Sequence, residues 1–381
     1  MSYSTGMILV AFGITGDLMR LKILPALYGL HERGELPGGM RILGVSRRGW
    51  GDAELRAHIH EVLPRAGEAF LTRFHFMQGD AGDPATFVAL AQALEGDEAL
   101  VYLALAPTLY TKAIAHMRSA GLGTRTHTTR VMLEKPFGTS GTLAGELAQE
   151  LNDTFVEKEI FLIDHYLAKD WVRELGDLPV EHGDIVQIYI HFLEAIGVEE
   201  RGPLYDQLGA LRDVGQNHVL QILTHLLAPH ARAEALEVLM PLMPEQVASQ
   251  TGRAQHEGYR DIKGVAPDSQ TETYFKIVTT LTNPGWEGVE LILEGGKSLS
   301  ETRKALTLTR KDGSTALFTE HPSKVDEFEQ IILAALAGDR SLSCSMREVM
   351  AQWRFVDPIL TTWAAGLPVL TTYPLGTTPE D

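Results

Sequence analysis

The sequence predicts an α/β Rossmann-type dinucleotide-binding domain over residues 1–165 and an α+β domain with a large, mainly antiparallel sheet over residues 166–381. In the first part, short apolar runs alternate with longer amphipathic segments, as in a parallel sheet covered by helices. After about Asp170 the apolar runs no longer alternate with helical patterns. A chain of 381 residues, 44% of them hydrophobic, is long enough for two domains.

Six strands are predicted in the first domain, at residues 7–12, 41–45, 74–77, 99–104, 130–133 and 160–163. Helical patterns lie between them, at residues 17–33, 84–94, 108–120 and 142–152. Strands separated by helices in this way are typical of the doubly wound dinucleotide-binding fold.

The second domain has predicted strands at residues 185–193, 273–281, 289–293, 305–309 and 315–318. Helices are predicted at residues 204–227, 323–336 and 345–363. The stretch 249–270 is rich in Gly, Asp and Pro, so we expect it to be an exposed connection.

Charge and cysteine content exclude several classes of partner. The net charge of −17 argues against nucleic acid, and the most apolar stretch, 99–105, is too short to cross a membrane. The single cysteine, Cys344, can form neither an intramolecular disulfide nor a spaced metal-ligand motif, so we expect no metal and a cytoplasmic location. The first residues carry no basic stretch before an apolar run, so no signal peptide is expected.

A glycine-containing turn follows the first predicted strand. It reads Gly13-Ile-Thr15-Gly16-Asp17-Leu18 and opens the first helix, where backbone N–H groups can hold a pyrophosphate. Since this is not the full G-x-G-x-x-G pattern, a purely structural turn is the alternative. Arg47 follows the second strand, where an NAD-selective site has an acidic residue, and it suits the 2′-phosphate of NADP unless it is simply a solvated charge.

Four motifs, in order along the chain, resemble those of glucose-6-phosphate dehydrogenase: GITGDLMRLK (13–22), EKPFG (134–138), IDHYLAK (163–169) and RDVGQNH (212–218). Further similar segments extend to residues 353–358, so the resemblance covers nearly the whole chain. It implies transfer of hydride from C1 of a hexose 6-phosphate, with glucose 6-phosphate as the first candidate, to NADP, with NAD as a possible substitute. The product is a 6-phospholactone, as in the pentose phosphate pathway.

The resemblance also implies catalytic roles. His218 is expected to take the proton from the sugar hydroxyl, and Asp164 to accept the other imidazole N–H, which fixes the tautomer. Taken alone, a histidine on an apolar helix is more often a core residue, and the neighbouring Arg212, Asp213, Gln216 and Asn217 favour the catalytic role.

Binding roles follow from the same resemblance. His165, Tyr166, Lys169 and Lys297 are expected to hold the phosphate, and His165 and Lys169 would share one face if this stretch were helical. Glu194 and Asp213 are expected to hold sugar hydroxyls, with Lys22 and Lys135 at the junction of nucleotide and sugar. The expected cofactor contacts are Gly13, Thr15, Gly16, Asp17, Leu18, Arg47, Tyr110 and Lys135. Tyr110 could equally be a packing residue, and Lys169 a surface lysine.

The chain departs from the family pattern in two places. Segments between residues 170 and 184 and between 318 and 323 are shorter than the family's, so we expect no second, structural NADP. A homo-oligomer, most simply a dimer, is expected from family likeness. A further phosphate-binding cation could be Arg303, although Thr302 has the matching spacing. Two other functions stay open: the same chemistry on a modified or amino hexose phosphate, and a catalytically silent NADP-binding regulatory protein.

Overall fold

The computed structural model describes residues 6–94, 97–123, 129–178 and 182–379. The chain forms two compact units. Unit 1 comprises Met1–Gly138, Thr142–Ala168 and Lys324–Met346, and unit 2 comprises Thr139–Gly141, Lys169–Ser323 and Arg347–Asp381.

Unit 1 contains a parallel sheet of six strands. They are β1 (Ile8–Phe12), β2 (Arg41–Ser46), β3 (Phe74–Gln78), β4 (Ala99–Leu103), β5 (Thr129–Glu134) and β6 (Ile160–Ile163). Their order is β3-β2-β1-β4-β5-β6, and every pairing is parallel. This is the strand order of a Rossmann fold, which confirms the predicted fold class of this part.

Helices cover this sheet because its strands are apolar on both faces; all five residues of β1 and of β4 are buried. The helices are α1 (Leu24–Glu32), α2 (Asp52–Val62), α3 (Glu68–Leu71), α4 (Pro84–Leu94), α5 (Tyr110–Ser119) and α6 (Gly141–Thr154). A π-helical turn, Met19–Ile23, leads directly into α1.

Unit 2 contains a mixed sheet of seven strands. They are β7 (Ile185–Leu193), β8 (Thr251–His256), β9 (Tyr274–Thr280), β10 (Glu290–Gly296), β11 (Arg303–Arg310), β12 (Thr315–Thr319) and β13 (Thr371–Tyr373). Their order is β12-β11-β7-β10-β9-β8-β13. Among the described residues, β7–β10 and β8–β13 are parallel and the other four pairings are antiparallel, which confirms the mainly antiparallel sheet.

The prediction that 249–270 is an exposed connection is wrong for its first part, because β8 lies inside the sheet between β9 and β13. Its sequence, TGRAQH, has no apolar run, yet Arg253 and Gln255 are buried. Arg253 donates to the Pro368 carbonyl (2.9 Å), and Gln255 donates to the carbonyls of Ser269 and Thr271. Hydrogen bonds therefore compensate for burying these polar side chains.

The remaining helices are α7 (Asp170–Leu175), α8 (Gly202–Ala210), α9 (Leu220–Leu227), α10 (Arg232–Glu237), α11 (Pro244–Gln250), α12 (Glu327–Ala337) and α13 (Met346–Ala364). The single helix predicted at 204–227 is instead three segments, because a π-helical segment, Leu211–Val219, separates α8 from α9. The break lies at Gly209, whose φ of 72° is outside the helical region.

Helix α12 belongs to unit 1, although it follows unit 2 in sequence. Its buried residues, Phe328, Ile331, Ile332, Ala335 and Leu336, join the hydrophobic core around β1 and α1. A boundary at 165/166 leaves this returning segment in the second domain. No helix within the described ranges is both long and apolar enough to cross a membrane.

Candidate active site

The nucleotide turn, residues 13–18, connects β1 to the first helix of unit 1. Gly13 has a φ of 72°, and a Cβ there would lie 2.3 Å from the Ala104 carbonyl oxygen, so only glycine fits. The Gly16 N–H donates to the Gly13 carbonyl (2.8 Å), which closes the turn. Gly16 is exposed, and Thr15 and Leu18 are half-buried. This leaves exposed backbone at a helix N-terminus, the arrangement that suits a phosphate group.

The nucleotide turn has one charged side chain, Asp17, and other charged side chains follow it or lie near it. Asp17 is exposed and pairs with Arg20 at 3.2 Å, and Lys22 is exposed one turn further on. Arg47 is exposed directly after the end of β2, while its neighbour Arg48 lies over the Trp50 ring at 4.6 Å. Arg47 is thus placed at the strand end where the resemblance predicts the ribose phosphate.

Two tyrosines fix Glu134 at the end of β5. The Tyr102 hydroxyl donates to a Glu134 carboxylate oxygen (2.5 Å), and the Tyr110 hydroxyl donates to the Glu134 carbonyl (3.0 Å). Burial raises the pKa of the Glu134 carboxyl to about 7, although the hydrogen bond from Tyr102 and the charge of Lys135 oppose this shift. The half-buried Lys135 follows, with a cis peptide bond to Pro136.

The predicted contact of Tyr110 with the cofactor receives no support from this arrangement. Its side chain is 1% exposed, and its hydroxyl is bonded to backbone. Its burial fits the packing alternative for an aromatic residue at a helix start.

Asp164, His165 and Tyr166 follow β6 at the carboxyl edge of the parallel sheet. Asp164 is 1% exposed, and its Oδ1 accepts from the Tyr166 N–H (3.0 Å). The His165 ring stacks on Phe328 with centroids 6.0 Å apart, and Tyr166 is buried. Ligands of such folds bind at this edge of the sheet, so Asp164 is well placed for catalysis.

The shared helical face proposed for His165 and Lys169 does not form. His165–Ala168 is a single 3-10 turn, and Lys169 has extended backbone (φ −72°, ψ 129°) before α7. Lys169 begins unit 2, whereas His165 lies in unit 1. Because the turn ends at Ala168, the spacing of four residues does not place the two side chains on one helix.

Unit 2 brings together Glu194, Asp213 and Lys297 from three separate elements. The Lys297 ammonium lies 2.5 Å from a Glu194 oxygen and 3.7 Å from an Asp213 oxygen. Lys297 is 5% exposed, and its backbone is held by the Thr273 carbonyl and the Tyr373 hydroxyl. Three of the predicted sugar-binding residues are thus in direct contact.

His218 lies on the same π-helical segment as Asp213. It is 3% exposed, and its ring stacks on Phe192 with centroids 5.7 Å apart. The backbone N–H of His218 donates to the Asn217 Oδ1 (2.7 Å), and the Asn217 side-chain amide donates to the Arg212 carbonyl (3.1 Å). The Asn217 side chain of the RDVGQNH motif therefore ties the backbone at His218 to that at Arg212.

Two family models together match most of the sequence. Residues 10–174 match the family described as Glucose-6-phosphate dehydrogenase, NAD binding domain, and residues 180–327 match Glucose-6-phosphate dehydrogenase, C-terminal domain. The glucose-6-phosphate 1-dehydrogenase of Mycolicibacterium smegmatis is 30% identical, over 97% of this chain and 93% of its own length. The chain belongs to the glucose-6-phosphate dehydrogenase family. This confirms the predicted family.

Solved structures of the glucose-6-phosphate dehydrogenase family have the same fold. The glucose-6-phosphate 1-dehydrogenase from Mycobacterium avium is 28% identical, with a TM-score of 0.82 over 98% of this chain and 95% of that one. A glucose-6-phosphate dehydrogenase in complex with glucose-6-phosphate has a TM-score of 0.85 over 100% of this chain and 96% of that one, at 24% identity. The M. smegmatis alignment runs over 463 positions, more than the 381 residues here, so that relative carries segments this family member lacks.

The surroundings of Arg303 and Thr302 bear on the expected further cation of the phosphate site. Arg303 is near Glu301 (3.9 Å), and the Thr302 hydroxyl accepts from the Ala195 N–H (3.0 Å). Lys304 is the residue that approaches Glu194, at 3.7 Å, and its ammonium lies 4.8 Å from the centroid of the Phe192 ring. Lys304, rather than Arg303, is thus the cation of β11 that approaches a predicted substrate-binding residue.

Lys304 and Glu320 are not identified from the sequence, although the strand pattern around Lys304 could have identified that residue. In β11, the buried Leu306 and Leu308 lie two and four residues after Lys304. Because every second residue of a strand points to the same face, the pattern places the lysine on the face of these leucines. Nothing local marks Glu320, which lies just after β12. We call the following six residues the charged cluster: Lys169, Glu194, Asp213, Lys297, Lys304 and Glu320.

Proposed function

We propose that this chain oxidises C1 of glucose 6-phosphate with NADP and yields the 6-phospholactone. The observation that carries the proposal is the meeting of Glu194, Asp213 and Lys297 in unit 2, with His218 on the same helical segment as Asp213. A lysine supplies charge for a phosphate, carboxylates accept from sugar hydroxyls, and a buried imidazole can take a proton. Membership of a family of oxidoreductases supports the same chemistry.

The residues of unit 1 suit a dinucleotide. The restricted space at Gly13 and the exposed Gly16 backbone allow close approach of a pyrophosphate, and Arg47 offers a charge to a 2′-phosphate. When bound, the nicotinamide supplies the hydride acceptor. The preference for NADP over NAD rests on Arg47.

The protein's own residues would act as follows. His218 takes the proton from the C1 hydroxyl, and Asp164 keeps its imidazole in the correct tautomer. Lys169 and Lys297, with His165 and Tyr166, hold the phosphate, while Glu194 and Asp213 orient the ring through its hydroxyls. Lys22 and Lys135 are assigned to the junction between sugar and nucleotide.

The test is reduction of NADP by the purified protein with a panel of hexose phosphates. The His218→Asn variant should lose turnover by on the order of a thousandfold, because general-base catalysis is removed, while glucose 6-phosphate binding by calorimetry stays within a few-fold. His230→Asn, an exposed histidine of the same unit, is the control. Binding of NADP without reduction by any sugar phosphate would favour a silent regulatory protein. Faster reduction with an amino hexose phosphate would change the substrate but not the chemistry.

We further propose that the protein is a cytoplasmic homo-oligomer, with a dimer as the simplest state by family likeness. Sedimentation equilibrium over a range of protein concentrations tests this. A monomer at every concentration would rule it out.

A further inference from the structure

Glu320 bridges two lysines of the charged cluster. One of its oxygens is 2.8 Å from the Lys169 ammonium, and the other is 3.8 Å from the Lys304 ammonium. The three side chains are largely shielded from solvent, with exposed fractions of 28%, 15% and 18% for Glu320, Lys169 and Lys304. Screening by water and salt is thus weaker here than on the open surface.

The backbone fixes this arrangement. The Glu320 N–H donates to the Lys304 carbonyl (2.9 Å), which extends the pairing of β12 with β11 by one residue. Lys304 is paired in turn with Phe192 of β7. Glu320 is therefore held beside Lys304 by the sheet, so its position does not depend on a flexible loop.

Lys304 and the proposed catalytic base, His218, contact the same aromatic ring. The Lys304 ammonium is 4.8 Å from the centroid of the Phe192 ring, and His218 stacks on the same ring. Lys304 also approaches Glu194 (3.7 Å), a proposed partner of the sugar hydroxyls. The lysine that Glu320 neutralises is thus part of the region where the sugar phosphate is expected.

A carboxylate between two ammonium groups occupies the kind of position that a phosphate takes. Both are anions with several acceptor oxygens, and lysine binds both as a point charge. In this cluster three lysines face three carboxylates, so each lysine already has a carboxylate partner before a dianion binds. Asp213 also lies 3.7 Å from the exposed Arg201. Glu194 and Asp213 have an expected role toward hydroxyls, and Glu320 has none.

We propose that Glu320 is a built-in competitor of the substrate's phosphate group, and that Lys304 is a further cation of the phosphate site. The inference rests on the proposed function for the identity of the substrate. To bind, the phosphate must displace the Glu320 carboxylate from Lys169 and Lys304 or be repelled by it. Glu320 therefore lowers the affinity for phosphorylated sugars and raises the KM of the enzyme.

The Glu320→Gln variant tests the proposal, since it keeps the side-chain shape and removes the charge. The KM for glucose 6-phosphate should fall about fivefold, the scale of one partly exposed ion pair. The dissociation constant of inorganic phosphate, measured by calorimetry without cofactor, should fall by a similar factor. Glu320→Asp, which keeps the charge, should stay closer to the native protein in both quantities.

Glu301→Gln is the matched control, because Glu301 is an exposed glutamate of the same unit whose partner Arg303 is outside the charged cluster. It should leave KM and phosphate affinity within about twofold. An unchanged or higher KM in Glu320→Gln, with unchanged or weaker phosphate binding, would overturn the proposal and leave Glu320 as a support for the two lysines.

The Lys304→Met variant tests the second part of the proposal, that Lys304 is a further cation of the phosphate site. We expect about a tenfold higher KM and a similar loss of phosphate affinity, on the scale of a lost charge-assisted contact. Unchanged phosphate affinity would remove Lys304 from the site. The calorimetric measurement is independent of turnover: if no sugar phosphate is oxidised, yet Glu320→Gln still tightens phosphate binding, the proposed function fails and the competition by Glu320 stands.

Discussion

The nucleotide turn of unit 1 and the charged cluster of unit 2 both offer a place for an anion, but they use different parts of the chain. The turn is six consecutive residues, and its only charged side chain, Asp17, is exposed and negative. The turn would attract an anion through backbone N–H groups at the start of a helix. The cluster collects six charged side chains from positions spread between 169 and 320.

The difference teaches how a protein with a net charge of −17 can bind phosphate groups. In unit 1 the attraction does not depend on net charge, since backbone dipoles are fixed by the fold. In unit 2 the positive charges are local and largely shielded, and carboxylates balance them until a ligand arrives. A substitution in the cluster should therefore affect folding and binding together, whereas one at the nucleotide end should affect binding alone.

The largest effect is expected from Lys297→Met. Removing this nearly buried cation leaves Glu194 and Asp213 with only Lys304 and Arg201, each 3.7 Å away, which should lower the free energy of unfolding by about 3 kcal/mol. The kcat/KM for glucose 6-phosphate should fall roughly hundredfold or more. Urea unfolding and steady-state kinetics measure the two effects, and Lys311→Met, an exposed lysine of unit 2, is the control.

A double variant separates stability from binding. Lys297→Met with Glu194→Gln removes both members of the buried pair and should recover part of the lost stability, because one uncompensated carboxylate is gone. It should not recover kcat/KM. If catalysis returned together with stability, Lys297 would be a structural residue, and the charged cluster would not be a substrate site.

The contrast between the contiguous turn and the dispersed charged cluster also explains how much the sequence could predict. All six strands of unit 1 are predicted, because each is a short, mainly apolar run, and the nucleotide turn is contiguous. Helices α2 and α3, between the second and third strands, are not predicted. In unit 2, β8 was missed because its polar residues find partners that lie far away in sequence, such as Pro368 for Arg253. Local patterns carry no information about such partners.

The site shows the same limit. Family likeness predicts Glu194, Asp213 and Lys297, but for the further family cation the matching spacing gives Thr302, and Arg303 is offset from it by one residue. Strand alternation places Lys304 on the face of the buried Leu306 and Leu308, so its contact with Glu194 was within reach of a simple rule. No such rule could identify Glu320, because its partner Lys169 lies 151 residues earlier in the chain.

An intermediate effect is expected at Glu134, a half-buried residue of unit 1 whose carboxyl pKa is raised by desolvation. Its folded pKa of about 7 lies above the usual 4.5, so the native protein holds this proton more tightly than the unfolded chain does. Stability should therefore fall as pH rises from about 4.5 to 7, by up to about 3 kcal/mol, and then level off. Glu134→Gln should remove this loss, so the variant gains stability relative to the native protein as pH rises through that window.

Urea unfolding at several pH values measures the Glu134 effect. The control is Glu61→Gln, an exposed glutamate of unit 1, whose stability curve should run parallel to that of the native protein. A constant difference between Glu134→Gln and the native protein at every pH would mean that the carboxyl does not carry the predicted linkage.

The smallest effect is expected from Arg47→Ala, at the nucleotide end. Arg47 is exposed after β2, so its loss should leave stability unchanged within about 0.5 kcal/mol. The KM for NADP should rise about tenfold while that for NAD changes less than about twofold, because only NADP carries the 2′-phosphate. Arg48→Ala is the matched control, since that arginine lies over Trp50. Added salt should shrink the effect, as expected for an exposed charge. Equal weakening of both nucleotides would exclude the 2′-phosphate contact, and a large loss of stability would contradict the separation of binding from folding at this end.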